Sequence, residues 1–160
     1  PVMKIQKTNA ARFLDRQSVP YELIPYVVDE DDLSAIHVAD SLGEPVEQVF
    51  KTLVLKGDKT GFFVCVIPGA DELDLKTAAK VSGNKSCDMI AMKELLPTTG
   101  YIRGACSPFA MKKSFPTFIH ESCNTFDFIY VSAGQRGLQL KLAPAHLVAH
   151  SKATVAFLIK

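Results

Sequence analysis

Two apolar segments of equal length, separated by a short turn-forming segment, are the feature that most restricts the fold of this chain. The segments are Lys51 to Lys56 (KTLVLK) and Phe62 to Ile67 (FFVCVI), and Gly57-Asp58-Lys59-Thr60-Gly61 separates them. Short runs of β-branched, aromatic and aliphatic residues on either side of a glycine-bearing turn are typical of a β-hairpin. The sequence therefore predicts at least one sheet, with this hairpin as a part of it.

Strand-like and helix-like segments alternate along the rest of the chain. The further strands are predicted at Tyr21 to Val28, Cys87 to Ile90, Thr117 to His120, Phe128 to Val131, Leu138 to Leu142 and Ala153 to Ile159. Helices are predicted at Lys4 to Gln17, from an N-cap at Ser34 to Gly43, at Asp74 to Ser82 as a capped helix closed by Gly83, at Met92 to Leu96 before Pro97, and at Pro144 to His150. Pro25 places the first strand at an edge. With no linker or repeat, this order predicts a single α+β domain over residues 1–160 with a mixed sheet.

Composition excludes several classes of protein. The 160 residues carry a formal charge of +1 and are 48% hydrophobic, which excludes whole-chain disorder. The balanced charge argues against non-specific coating of nucleic acid. No apolar run approaches the ~20 residues of a membrane span. The four cysteines form no CxxC pair and no signal-peptide core is found, so we expect reduced thiols and a cytoplasmic location.

Two sets of residues suggest metal or thiol chemistry. His146 and His150 have the spacing of two metal ligands on one helix, but the sequence offers no third ligand, so we predict no metal site. Cys106 lies in the loop Gly104-Ala-Cys-Ser-Pro108 and could act as a nucleophile if His120 served as its base. A thiol hydrolase is therefore one alternative, and a cysteine that serves as a small apolar side chain is the other.

Two basic features suggest a site for an anion. The segment from Tyr101 to Lys113 is a glycine-bearing loop that ends in two lysines, and such a loop can offer backbone N–H groups and positive charge. Lys51 opens an apolar strand, which would hold its ammonium near the sheet. For the loop, the alternative is a turn followed by a solvated lysine pair. For Lys51, it is an edge-strand lysine that discourages aggregation.

These features belong to a pattern of four segments in a fixed order. The segments are Phe50 to Leu53, Leu73 to Lys80, Thr99 to Pro108 with Lys112 and Lys113, and Ile129 to Leu138. The pattern, from about Ala10 to His150, resembles the YbaK/EbsC family, which is related to the editing domain of bacterial prolyl-tRNA synthetases. The resemblance implies a mixed, partly barrel-like sheet with flanking helices. It also implies a cofactor-free deacylase that removes mischarged amino acids from tRNA in trans, above all cysteine from proline tRNA.

The resemblance also implies roles for particular residues. Lys51 and Gly104 match the catalytic positions. Substrate-binding positions are matched by Tyr26, Thr52, Ala105, Cys106, Ser107, Pro108 and Ser132. We expect Arg103, Lys112, Lys113 and Arg136 to contact the acceptor end of the tRNA, and prolyl-tRNA synthetase is a further expected partner. A non-catalytic module that binds tRNA or a synthetase is the alternative.

Several positions depart from the family pattern. Ala105, Ala110 and Ala133 stand where the family usually has glycine, and Gln139 stands where some members have aspartate. An added methyl group restricts the backbone and can shrink a pocket. The sequence therefore predicts the class of reaction more firmly than the amino acid that is removed.

The chemistry of an activated ester suits the matched residues. Backbone N–H groups of residues 104–107 can stabilise the negative charge that develops on the carbonyl oxygen. An electrostatic role suits Lys51 better than proton abstraction, because an amine is protonated near pH 7 unless burial lowers its pKa. The attacking group is either the thiol of a cysteinyl substrate, which leaves a thiolactone, or water.

Overall fold

The computed structural model describes residues 5–160, and its elements alternate as the sequence predicts. In chain order they are α1 (Asn9–Arg16), β1 (Glu22–Pro25), α2 (Ala35–Leu42), a 3-10 turn (Val46–Gln48), β2 (Phe50–Gly57), β3 (Gly61–Pro68), α3 (Leu75–Ser82), β4 (Cys87–Met89), α4 (Met92–Thr99), β5 (Thr117–His120), a second 3-10 turn (Glu121–Thr125), β6 (Ile129–Gln135), β7 (Leu138–Leu142), α5 (Pro144–Ser151) and β8 (Thr154–Ala156).

The strands form two sheets that meet at one bridge. Five strands lie in the order β4-β2-β3-β5-β8, and three lie in the order β1-β7-β6. The larger sheet is mixed, because β5 runs parallel to both β3 and β8 while the β2–β3 and β2–β4 pairs are antiparallel. A parallel bridge between Val49 and Tyr130 joins the two sheets. The predicted α+β fold with a mixed sheet is confirmed.

The central hairpin carries core residues on both of its faces. Strands β2 and β3 pair over their whole length, from Phe50 opposite Pro68 to Gly57 opposite Gly61. Along β3, Val64 and Val66 enter one buried cluster, whereas Phe63, Cys65 and Ile67 enter another on the opposite face. Because successive side chains of a strand point to opposite faces, this strand can hold both layers of the core together.

Helix boundaries follow their capping residues. Ser34 caps α2 by accepting from the N–H of His37, and Gly43 follows the helix in the left-handed region with φ 69°. Asp74 caps α3 in the same way, and Gly83 ends it with φ 82°. The predicted caps are confirmed, and they fix the direction in which the chain enters each helix.

Four predicted C-terminal ends of elements are wrong by three residues or more, and for three of them pairing decides the length. Strand β1 ends at Pro25, because its partner β7 begins at Leu138. Strand β8 ends at Ala156, because β5 offers it partners only up to His120. Strand β6 continues to Gln135, since a bulge after Ser132 lets it pair further with β7. Helix α4 continues past Pro97 to Thr99.

The N-terminal helix is shorter than the sequence predicts. It begins at Asn9 behind the N-cap Thr8, whose hydroxyl accepts from the N–H of Ala11. Lys4, where the sequence predicts its start, lies outside the described residues. Each of the five α-helices in residues 5–160 has eight residues, and none of them is long and apolar enough to cross a membrane.

A buried histidine attaches the C-terminal segment to the larger sheet. His120 is 4% exposed, and its Nδ1 accepts from the N–H of Leu158 at 3.2 Å. Phe157 packs edge-on against the imidazole, with 5.1 Å between the ring centroids. Burial lowers the pKa of His120, and Glu121 and Asp71 oppose that effect. The neutral imidazole is therefore the form that the fold requires.

We predict that the free energy of unfolding falls as the pH drops below about 6.5. Because the pKa of His120 is lower in the folded state, the unfolded state binds more protons in this range and is favoured. Chemical denaturation across pH 5–8 measures this slope. The variant His120→Asn keeps a hydrogen-bond acceptor without a titrating group and should flatten it; an equally steep slope in the variant would contradict the assignment to His120.

Candidate active site

A cleft lies along the part of β2 that has a neighbouring strand on only one side. Strand β4 pairs only with the end of β2, from Leu55 opposite Met89 to Gly57 opposite Cys87. The carbonyl of Val54 still accepts from the N–H of Ile90, so residues 50–53 of β2 have β3 on one side and an open edge on the other. A cleft of about 380 Å³ runs beside that edge. Its size falls in the range of pockets for small molecules.

Four other parts of the chain complete the walls of the cleft. The entry to α2 forms one wall, and a second is the segment between β4 and α4. The loop after Tyr101 covers the cleft, and the hairpin β6–β7 contributes two polar side chains. The lining residues outside β2 include Leu33, Met89, Met92, Arg103, Gly104, Cys106, Ser132 and Gln139.

Lys51 places a positive charge in this cleft. Its side chain is half-buried, and it also borders a second cleft of about 440 Å³ that contains Asp71 and Glu72. Burial lowers the pKa of Lys51, and the two carboxylates oppose this effect. Among the ion pairs of residues 5–160, none involves Lys51. Its ammonium is thus available to a ligand, whereas that of Lys160 is paired with Glu72.

The covering loop, residues 102–108, is held at three carbonyl groups within it or beside it. The hydroxyl of Tyr101 donates to the carbonyl of Phe109 and so joins the two ends of the loop. The hydroxyl of Ser132 donates to the carbonyl of Ala105 at 2.9 Å, and Nε of Arg136 donates to that of Arg103 at 2.9 Å. Neighbouring elements therefore fix the orientation of these peptide groups.

Fixing the carbonyls also fixes two N–H groups of the loop. In a trans peptide the C=O and the N–H point in opposite directions. The peptide of Arg103 carries the N–H of Gly104, and the peptide of Ala105 carries that of Cys106. Within the described chain neither N–H has a hydrogen-bond partner, and both residues line the cleft. Gly104 has φ 83°, a conformation that favours glycine.

The thiol of Cys106 does not have the environment of a nucleophile. Burial raises its pKa to about 12, so that the thiol is protonated at neutral pH. None of the cleft residues within 5–160 is a histidine, and the Nδ1 of His120 is engaged with Leu158. These observations argue against a thiol hydrolase that uses Cys106 and His120.

Six of the residues that the sequence singles out meet at the cleft. They are Lys51, Thr52, Arg103, Gly104, Cys106 and Ser132. Ala105, Ser107 and Pro108 also belong to the covering loop, but they are buried and do not line the cleft. Tyr26 packs instead beside Val38 and Tyr130. Lys112 and Lys113 are exposed outside the cleft, and Arg136 pairs with Glu30 at 2.7 Å.

The alanines that replace family glycines do not line the cleft. Ala105 and Ala133 are buried and have ordinary negative φ values. Ala110 has φ 58°, a left-handed conformation in which a side chain is disfavoured, and this explains the glycine preference at its position. The expected narrowing of the pocket by these three methyl groups is therefore not found.

Two buried polar atoms at the cleft have no partner. The Oγ1 of Thr52 and the Oε1 of Gln139 accept no hydrogen bond from any described residue, and both residues line the cleft. Gln139 is 5% exposed. Sequence reasoning treated Gln139 only as a departure from the family and did not identify Leu33, Met89 or Met92. Strand β7 alternates leucine with Gln139 and Lys141, so its pattern gave no signal that Gln139 is buried at the cleft.

The structure gives no indication of a metal centre in the residues that it describes. No three His, Cys, Asp or Glu side chains of residues 5–160 come together as ligands. The rings of His146 and His150 lie 6.4 Å apart between centroids on α5.

The chain is similar to known proteins over most of its length. The family model described as "Aminoacyl-tRNA editing domain" matches residues 29–149. A protein of Enterococcus faecalis named "Putative Cys-tRNA(Pro)/Cys-tRNA(Cys) deacylase EbsC" is 54% identical over 139 residues, which are 87% of this chain and 85% of that protein. A proline–tRNA ligase of Fervidobacterium nodosum is 32% identical over 79 residues, 49% of this chain and 14% of the ligase.

Solved structures agree in fold. One described as a "putative trans-editing enzyme for prolyl tRNA synthetase" is 22% identical and has a TM-score of 0.83. The match covers 97% of this chain and 99% of that structure's chain. The chain belongs to the aminoacyl-tRNA editing domain family. The resemblance to YbaK and EbsC proteins is thereby confirmed.

We predict that Tyr101→Phe weakens both the fold and any reaction that depends on the covering loop. The change leaves the buried carbonyl of Phe109 without its donor, which should lower the free energy of unfolding by about 1–2 kcal/mol. Denaturation and the rate of ester cleavage measure the two effects. The matched control is Tyr21→Phe, whose hydroxyl bonds Asp15 at the surface. Equal effects of both variants would contradict a role of Tyr101 in holding the loop.

Proposed function

We propose that this protein is a deacylase that removes mischarged amino acids from tRNA in trans, with cysteinyl-tRNA(Pro) as its main substrate. The observation that carries the proposal is that Lys51 lines one cleft with Gly104 and Cys106, whose N–H groups have no hydrogen-bond partner within residues 5–160. The 54% identity to the Enterococcus protein and the family match support the substrate class. The cytoplasm, where tRNA is charged, is the proposed location.

The cleft has the electrostatics that cleavage of an ester needs. As the carbonyl carbon is attacked, negative charge develops on its oxygen, and fixed donors stabilise that charge better than water does. We assign this role to the N–H groups of Gly104 and Cys106. Lys51, half-buried and without an ion pair among residues 5–160, adds a positive charge that attracts the ester oxygen or the terminal phosphate.

For a cysteinyl ester the substrate supplies its own nucleophile. The substrate thiol loses its proton and its sulfur bonds to the carbonyl carbon, the bond from that carbon to the ribose oxygen breaks, and the ribose oxygen takes up a proton. The products are a thiolactone and free tRNA. This route suits a cleft whose own thiol, Cys106, stays protonated. Water in place of the substrate thiol would give the same tRNA product from other amino acids.

Three exposed cations are proposed to meet the acceptor end of the tRNA. Arg103 stands at the cleft, and Lys112 and Lys113 follow the covering loop. The guanidinium of Arg136 bonds Glu30 and the carbonyl of Arg103, so we assign it to positioning the loop. Two proline–tRNA ligases share about half of this chain, and this relation supports prolyl-tRNA synthetase as a partner.

A non-catalytic module that binds tRNA or a synthetase is the second candidate. It requires the same basic residues but gives no reason for a half-buried lysine without a partner at the cleft. A panel of proline tRNAs charged with cysteine, alanine, serine or proline separates the two. The deacylase cleaves at least the cysteinyl ester, whereas the module cleaves none.

We predict that Lys51→Ala lowers the rate of deacylation by about 10²–10³, the usual effect of removing one preorganised electrostatic group. Lys51→Arg should restore little, because a planar guanidinium does not replace a compact ammonium. Single-turnover cleavage of cysteinyl-tRNA(Pro), with melting curves beside it, measures the effect. Lys56→Ala is the matched control, since Lys56 is an exposed lysine of the same strand. A folded Lys51→Ala protein with wild-type turnover would remove Lys51 from the mechanism.

We predict that Cys106→Ser leaves deacylation of cysteinyl-tRNA(Pro) largely intact. A protonated thiol with a pKa of about 12 contributes contact with the ligand but no attacking sulfur. Loss of all cleavage in the folded variant, together with a covalent acyl-protein in the wild type by mass spectrometry, would instead favour the thiol hydrolase.

A further inference from the structure

The polar side chains of the cleft differ in whether another group of the protein forms a hydrogen bond with them. The hydroxyl of Ser132 donates to the carbonyl of Ala105 and accepts from the N–H of Gly134. The Oγ1 of Thr52 and the Oε1 of Gln139 are buried and have no partner among residues 5–160. Gln139 lies directly opposite Ser132 in the pairing of β6 with β7. The hairpin β6–β7 thus carries a satisfied and an unsatisfied group side by side, and Thr52 on β2 adds a second unsatisfied group to the cleft.

An unsatisfied buried oxygen is costly and therefore informative. Leaving such a group without a partner costs about 1–3 kcal/mol, and most buried polar groups in folded proteins have one. Two such atoms at a single cleft indicate a ligand that brings hydrogen-bonding groups; the hydroxyl of Thr52 can accept from such a group or donate to it. An amide oxygen can only accept, so at Gln139 the ligand has to supply an N–H or O–H group.

The charge of the cleft narrows the kind of donor. Its charged lining residues within the described chain are Lys51 and Arg103, and no carboxylate lines it. A cationic donor would be repelled there, whereas a neutral amine or hydroxyl would not. The depth of Gln139, 5% exposed, favours the aminoacyl end of the substrate over the ribose, which stays nearer the exposed Arg103.

We propose that Thr52 and Gln139 together bind the uncharged α-amino group of the aminoacyl ester. The inference rests on the proposed function and names the part of the substrate that these two oxygens recognise. The α-nitrogen is one carbon away from the ester carbonyl. Fixing it therefore orients that carbonyl towards Lys51 and the N–H groups of the loop. The site then selects esters with a free α-amine and rejects those without one.

The direct test compares two ligands that differ only in this group. Cysteine and 3-mercaptopropionate, each joined by an amide bond to 3′-amino-3′-deoxyadenosine, share the thiol, the carbonyl and the nucleoside, and neither can be hydrolysed as an ester. Calorimetry with the wild type should show the desamino ligand binding about 10–100-fold more weakly, because two buried oxygens are left unpaired. Equal affinity for the two ligands would overturn the proposal.

Variants connect this preference to the two residues. Thr52→Val and Gln139→Met remove the oxygens at nearly constant volume, and each should reduce the preference for the amine to within about threefold. Both variants should melt at or above the wild-type temperature, because an unsatisfied buried group has been removed. Ser132→Ala is the matched control and should melt lower, since its hydroxyl makes two bonds. A preference that persists in both variants would overturn the assignment.

Two further measurements test the ribose hydroxyl and the reaction itself. A cysteinyl ligand built on 3′-amino-2′,3′-dideoxyadenosine tests the ribose 2′-hydroxyl as the donor. If removing the 2′-hydroxyl weakens binding, and this weakening disappears in the Thr52→Val and Gln139→Met variants, the amino-group assignment is wrong. If the amine preference is found but cysteinyl-tRNA(Pro) is not cleaved, the inference holds as a binding site and the proposed function fails.

Discussion

The incomplete pairing of β2 is the constraint on which the rest of the site depends. Its partner β4 is only three residues long, so the first half of β2 has an open edge in the middle of the protein. An open edge normally invites another strand. Here the entry to α2, the loop after Tyr101 and the hairpin β6–β7 surround it, and β6 pairs only at the bridge from Tyr130 to Val49, just before β2 begins. The space that they leave is the cleft, and Lys51 and Thr52 line it because they lie on that edge.

Local signals in the sequence were sufficient to predict most of the helices and strands. The sequence also singled out six of the residues that line the cleft. The hairpin around residues 57–61 and the caps at Ser34 and Asp74 follow from adjacent residues alone, and the structure confirms them. Lys51 and Gly104 could be named because the four segments, taken together, resemble those of a known family. Their meeting at one cleft could not be derived from the segments themselves, since 52 residues separate them along the chain.

The errors occur where distant parts of the chain decide the outcome. Strand β8 is cut short by the length of β5, more than thirty residues earlier, and no property of the segment from Ala153 to Ile159 contains that information. Helix α4 continues past Pro97 because a side-chain hydrogen bond holds its last turn. The hydroxyl of the buried Thr99 donates to the carbonyl of Leu95, and Gly100 then ends the helix with φ 85°. The bonds that hold Arg136 at the covering loop likewise join residues more than thirty positions apart.

The bonds that hold the covering loop have a consequence for the energetics of turnover. A group that stabilises a transient charge is most effective when it does not have to rotate into place as the charge appears. Tyr101, Ser132 and Arg136 hold the carbonyls of the loop, and the attached N–H dipoles are thereby aligned before any substrate arrives. The work of aligning them is done during folding, once for each molecule. In the proposed mechanism each later cycle therefore begins with a low reorganisation energy, even though none of these three side chains has to touch the reacting atoms.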